Sequence, residues 1–260
     1  MGRIIAVANQ KGGVGKTTTS VNLAAALAAE GRRVLLVDMD PQGNATMGCG
    51  VDKYQVSAGT YDVLAHRGTV AEFAVFGADG RVRVLPANAR LTAAEVELIE
   101  VEGGRTRLRE ALASVSANYD HVFVDCPPSL NMLTVNALVA ADRVIIPIQC
   151  EYYALEGLSA LLDTIERIRR TLNPRLRIEG MLRTMFDSRN RLANEVSAQL
   201  TKHFGGRVYD TVVPRNVRLA EAPSYGLPIN LYDAASRGGI AYQALAREVL
   251  TREAHEGTAA

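Results

Sequence analysis

Short apolar, β-branched blocks alternate with longer stretches of helical spacing along almost the whole chain. RIIAVA (3–8) is the first block and reads as a buried strand; a glycine-rich loop follows it. TTTSVNLAAALAAEG (17–31) is rich in alanine and leucine and predicts a helix stopped at Gly31. Further strands are predicted over RRVLLVDMD (32–40), VRVLPA (82–87), HVFVDCPP (121–128), DRVIIPIQ (142–149), RLRIEGMLRTMF (175–186) and RVYDTVVP (207–214). Helical stretches fall between them, over about 104–117, 130–140, 155–172, 190–203 and 238–254. This alternation predicts an α/β fold, a mostly parallel doubly wound sheet with helices on both faces. Neither an internal repeat nor a low-complexity linker interrupts it, so residues 1–260 are expected to form one domain. The tail REAHEGTAA, from about residue 252, is expected to fray.

A sheet of this kind binds ligands at the carboxyl ends of its strands. Four polar groups are placed there by the pattern alone: the glycine loop, Asp38 with Asp40, Asp125, and Pro214-Arg215-Asn216. The loop reads KGGVGKT from Lys11 to Thr17. It departs from the phosphate-loop pattern GxxxxGK[ST], because residue 10 is Gln where the first Gly is wanted. Its physics is nonetheless that of a phosphate cradle. Gly12, Gly13 and Gly15 lack Cβ atoms, so backbone N–H groups, that of Val14 included, can close around phosphate oxygens. The next helix offers its N-terminus, with Thr17 and Thr18, to the same anion. Lys16 is placed to reach the outer phosphates, and the Thr17 hydroxyl to ligate Mg²⁺. Asp125, closing an apolar strand, is placed as a carboxylate facing that metal, usually through water. The residues alone leave the role of a second lysine, Lys11, open between phosphate in its own subunit and phosphate in another.

Composition narrows the classes. No apolar run approaches the length of a membrane span. MGRIIAVANQ reads as a first strand rather than a signal peptide, and Ala6 stands where myristoylation wants Ser or Thr. Three cysteines, Cys49, Cys126 and Cys150, form no CxxC pair; a reduced, cytoplasmic protein without a cysteine metal site is expected. Net charge is +1, yet Arg167 to Arg218 holds twelve Lys/Arg against four Asp/Glu. That segment carries +8 and the remainder −7, a distribution suited to a polyanion on one face.

KGGVGKT, VDMDPQGN and VDCPPS together resemble the deviant-Walker ATPases that include ParA, Soj and MinD. EYYALEG (151–157), NPRL (173–176) and VPRNVRLAEAPSYGLPI (213–229) narrow the resemblance to the chromosomal ParA/Soj group. It spans about residues 3 to 250. It implies an ATPase using ATP and Mg²⁺, whose Lys11 reaches the nucleotide of a second subunit in an ATP-dependent homodimer. It implies that Lys11, Lys16 and Asp40 are catalytic, with Asp40 orienting the attacking water and Asp38 supporting the Mg²⁺ environment. Pro214 and Asn216 match the adenine-contacting element, and Arg189 and Arg218 match positions that bind double-stranded DNA without sequence preference. The implied partner is a ParB/Spo0J-type centromere-binding protein that stimulates slow hydrolysis and releases the dimer from the nucleoid. Two other readings share the fold. MinD-like membrane cycling wants a C-terminal amphipathic anchor, which YQALAREVLTREAHEGTAA supplies poorly, so no membrane partner is expected. A small-molecule kinase or synthetase wants an acceptor pocket, which the sequence does not display.

Overall fold

The computed structural model describes residues 2–258. Eight strands form one sheet: β1 (Arg3–Val7), β2 (Val34–Asp38), β3 (Val75–Phe76), β4 (Arg83–Leu85), β5 (His121–Asp125), β6 (Arg143–Gln149), β7 (Arg177–Phe186) and β8 (Val208–Pro214). Their order across the sheet is β3-β4-β2-β5-β1-β6-β7-β8. Every pairing is parallel except that of β3 with β4. The mostly parallel doubly wound sheet expected from the sequence is therefore present, with an antiparallel edge hairpin that the pattern did not reveal.

The longer helices are α1 (Lys16–Ala29), α2 (Leu91–Glu100), α3 (Arg107–Ala113), α4 (Met132–Ala140), α5 (Ala154–Thr171), α6 (Arg191–Phe204) and α7 (Arg237–Thr258). Successive strand residues face opposite sides of a sheet. Ala6, Val122, Val124, Val144 and Ile146 accordingly meet Leu98, Leu112, Leu133, Leu161 and Leu200 of α2 to α6. Ile5, Val7, Leu36, Phe123 and Ile145 meet Leu23 and Leu27 of α1 and Tyr242, Leu245 and Val249 of α7 on the other face. α1 ends as anticipated: Gly31 takes φ 81°, and the Gly31 and Arg32 amides donate back to Ala28 and Leu27.

Register sets the height of the chemistry. Val7 lies level with Asp125, and Asp38 lies level with Asp125 on its other side. Gln149 is level with Thr184, and Phe186 with Pro214. The carboxyl ends of β1, β2, β5, β7 and β8 thus open onto one rim.

α7 runs on to Thr258 through the segment from about residue 252 that the sequence leaves as a tail; residues 259–260 lie outside the described residues. Its end is fastened to the opposite rim of the sheet. Glu253 pairs with the buried His121 at 2.9 Å, and Glu256 accepts from Arg3 at 2.9 Å and Arg143 at 2.7 Å. Charged, low-hydropathy residues read as a solvated tail because their partners lie more than a hundred positions away. Among the described residues, no helix is long and apolar enough to cross a membrane.

Candidate nucleotide-binding site

The loop between β1 and α1 is held from beneath. Asn9 Nδ2 donates to the Pro147 carbonyl at 2.7 Å, and Asn9 Oδ1 accepts from the Lys11 backbone amide at 3.0 Å. Gly13 (φ 72°) and Gly15 (φ 85°) take left-handed backbone that side chains disfavour. A Cβ built on Gly12 or Gly13 would meet nothing within 4 Å, so open space lies over the loop. Gly15 caps α1 without a side-chain hydrogen bond, leaving the first-turn amides of α1 unfilled by any capping side chain. Such a terminus attracts an anion. Lys16, the first residue of α1, is buried and folds back so that Nζ donates to the Lys11 carbonyl at 3.1 Å. Burial lowers its pKa, against the opposing charges of Asp125 and Asp40. A phosphate seated over the loop would offset that desolvation.

The carboxylates occupy distinct positions. Asp125 is fully buried at the end of β5. Its Oδ2 accepts from Thr17 Oγ1 at 2.8 Å and its Oδ1 from Ser20 Oγ at 2.7 Å. Burial, reinforced by the charge of Asp38, pushes its pKa up to about 7 despite both hydroxyls. Asp38 is also fully buried. Its Oδ2 accepts from the Thr46 amide and hydroxyl at 2.8 and 2.7 Å, and its Oδ1 from the Asp40 amide at 3.0 Å. Burial raises its pKa to about 6. Both Asp38 oxygens are thus committed to the loop and to the short helix Asn44–Gly48. Asp40 itself lines the cleft; its Oδ1 accepts from the Gln42 amide at 2.9 Å, and its Oδ2 has no hydrogen bond among the described residues. No group of three or more His, Cys, Asp or Glu side chains among the described residues forms a metal cage. A hydroxyl beside one carboxylate instead suits a hard divalent cation that keeps waters and shares phosphate oxygens.

The cleft above the loop encloses about 620 Å³. Gly12, Gly13, Gly15, Lys16, Thr17 and Thr18 line one end, and Pro214 and Asn216 the other. Asn216 Oδ1 caps the short helix Val217–Glu221 by accepting from the Leu219 amide at 3.3 Å, which leaves its side-chain NH₂ for a ligand. Val14 is buried beneath the loop; its carbonyl accepts from Thr184 Oγ1 at 2.8 Å. Met185, with φ 48°, and Thr184 form a wall that the sequence pattern did not identify. A left-handed non-glycine residue is uncommon and concentrates at functional sites. Ser20 was missed as well. Its signal was available, since it follows Thr17 by one helical turn and so shares its face.

Lys11 points elsewhere. Its Nζ pairs with Glu151 and it lies beside Gln149 and Tyr153, outside the cleft of its own chain. Tyr152 and Tyr153, next to that ion pair, are 74% and 67% exposed and pack edge to face. Arg189 and Arg218 are both exposed and both carry counter-ions. Arg189 forks onto Asp187 at 3.0 and 2.8 Å; Arg218 pairs with Glu221 at 2.9 Å and Asp233 at 3.5 Å.

Known proteins resemble this chain along most of its length. Residues 2–178 match the family model described as an AAA domain. The sporulation initiation inhibitor protein Soj of Bacillus subtilis is 54% identical, over 96% of this chain and 98% of that protein. The chromosome partitioning protein ParA of Caulobacter vibrioides is 53% identical, over 96% and 95%. A crystal structure from Mycobacterium smegmatis, described as cobyrinic acid a,c-diamide synthase with bound ADP and magnesium, is 38% identical with a TM-score of 0.84, covering 96% of this chain and 94% of that one. Identity above one half along almost the full length, on a sheet whose carboxyl rim carries the phosphate loop and its carboxylates, places this chain in the ParA/Soj family of chromosome-partitioning ATPases.

Proposed function

We propose that the chain binds ATP with Mg²⁺ in the cleft and dimerises on it. The dimer binds double-stranded DNA without sequence preference, and hydrolysis stimulated by a ParB/Spo0J-type protein releases it. The observation that carries this reading is the convergence of Lys16, Thr17 and Asp125 beside an open glycine loop, Thr17 and Asp125 being 2.8 Å apart. The cleft volume suits a nucleotide-sized ligand, and the solved relative described with ADP and magnesium supports the choice of ligand.

In this reading the loop amides and Lys16 hold the outer phosphates, and Pro214 and Asn216 hold the base. Mg²⁺, when bound by Thr17 and, through water, Asp125, would supply neutralisation of phosphate charge. Asp38 shapes the loop that carries Asp40. Asp40, oriented by the Gln42 amide, offers Oδ2 as the acceptor that positions water for attack. Lys11 acts across the dimer. Its direction away from its own cleft and its place beside two exposed tyrosines support that role over a second contact in cis. A cation added in trans contributes on the order of 10³–10⁵ in rate for comparable phosphoryl transfers. Arg189 and Arg218 contact DNA phosphates.

Sedimentation of the purified protein with no nucleotide, ADP and ATP tests the reading. Dimers only with ATP, and only when Lys11 is intact, are expected. Dimers in every state, or ATP-dependent dimers of Lys11→Ala, would overturn it.

A further inference from the structure

The two arginines matched by resemblance are the ones the fold has already neutralised. Beside them runs a groove of about 990 Å³, between the turn after β7, the end of β8 and the start of α7. Arg189, Arg215 and Arg237 line it, with the exposed apolar side chains of Val217 and Ile240 between them. Arg215 and Arg237 are exposed and have no side-chain hydrogen bond or ion pair among the described residues. Among the described residues, Asp187 is the one carboxylate lining the groove; it accepts two hydrogen bonds from the Arg189 guanidinium and a third from the Arg189 backbone amide, and lies within the electrostatic reach of Arg237. The guanidinium of Arg189 holds the Asp187 carboxyl down at about 2, so the counter-ion stays charged at any working pH. Pro214, Arg215 and Val217 wall this groove and the nucleotide cleft at once.

We propose that Arg215 and Arg237 are the first phosphate contacts of double-stranded DNA, and that Asp187 is an internal competitor which DNA phosphate must displace before Arg189 engages. This rests on the DNA-binding reading above and names the residues that set its strength. The forked donors of arginine suit phosphate and carboxylate equally, which is why one can exchange for the other. Asp187 then keeps the groove's affinity low, as suits a complex that must release DNA in each cycle.

The test is fluorescence anisotropy of a short random-sequence duplex, with ATP, across a salt series. Asp187→Asn should bind several-fold tighter than wild type and steepen the log–log salt slope by about 0.9, one added phosphate contact. Glu195→Gln is the control: it changes net charge equally, but Glu195 pairs with Arg191 outside the groove. It should shift binding far less. Arg237→Ala should weaken binding by about tenfold and flatten the slope by about 1, with ATP affinity kept because Arg237 lies outside the nucleotide cleft. Arg215→Ala with Arg237→Ala should weaken it further. Wild-type binding with Asp187→Asn no tighter than Glu195→Gln, or with undiminished Arg215→Ala/Arg237→Ala binding, overturns the proposal alone. Absence of wild-type binding in every nucleotide state overturns the DNA reading with it.

Discussion

Replacing Asp125 with Asn should stabilise the nucleotide-free protein at alkaline pH while removing its response to Mg²⁺. Asp125 is fully buried, level with the equally buried Asp38 on the neighbouring strand. Its pKa rises from 3.8 to about 7, chiefly through burial and then through Asp38. A carboxyl raised on folding contributes stability in full below about pH 4, and that contribution is lost as pH rises through 7. That rise sets a ceiling of about 4 kcal/mol at pH 8. Asn keeps the shape but presents one acceptor and one donor to the Thr17 and Ser20 hydroxyls, where the carboxylate presents two acceptors. Those two bonds are already counted in the raised pKa, and a protonated carboxyl presents the same one donor and one acceptor as Asn. The net expectation is a gain of up to about 4 kcal/mol at pH 8 and none at pH 4. Urea unfolding of both proteins in EDTA at the two pH values measures it. Added Mg²⁺–ATP should then raise the wild-type midpoint and leave the variant's nearly unchanged. Equal destabilisation of the variant at both pH values would refute the reasoning, since it would make the carboxylate a net structural asset.

Lys16→Ala should abolish ATP binding in calorimetry; unchanged affinity would move the phosphate site elsewhere. Thr17→Ala should lower the affinity for Mg²⁺–ATP about tenfold or more, read as a loss of magnesium dependence in nucleotide binding. Glu253→Ala should cost about 1–2 kcal/mol in urea unfolding, because it leaves the buried His121 without its partner; no change would mean that the end of α7 is fastened by Glu256 alone.

The rim chemistry was legible because it is local. A strand end, a glycine loop and the following helix N-terminus lie within a few residues of each other, so position alone puts KGGVGKT, Asp40 and Asp125 at the carboxyl rim where the fold has them. Features that depend on distant partners were not. The edge strand β3 is two residues long, too short for a period-2 pattern to register. α2 carries exposed Val96 and Ile99, which blur its amphipathic stripe. Thr184 and Met185 enter the site because β7 lies beside β6, a neighbourhood no spacing rule contains. The charge count located the basic segment but not its state. Arg189 and Arg218 are held by Asp187, Glu221 and Asp233, while Arg215 and Arg237 stand unpaired among the described residues, a difference that a charge count does not contain.

The central claim is that ATP held by this cleft switches the protein onto DNA. It is tested most directly by DNA binding of wild type without nucleotide, with ADP and with ATP, and of Asp40→Ala with ATP. Binding that appears only with ATP, and that persists in Asp40→Ala because water is no longer positioned for hydrolysis, is the predicted result. DNA affinity that is the same in all nucleotide states, or an Asp40→Ala protein that hydrolyses ATP at the wild-type rate, would contradict it.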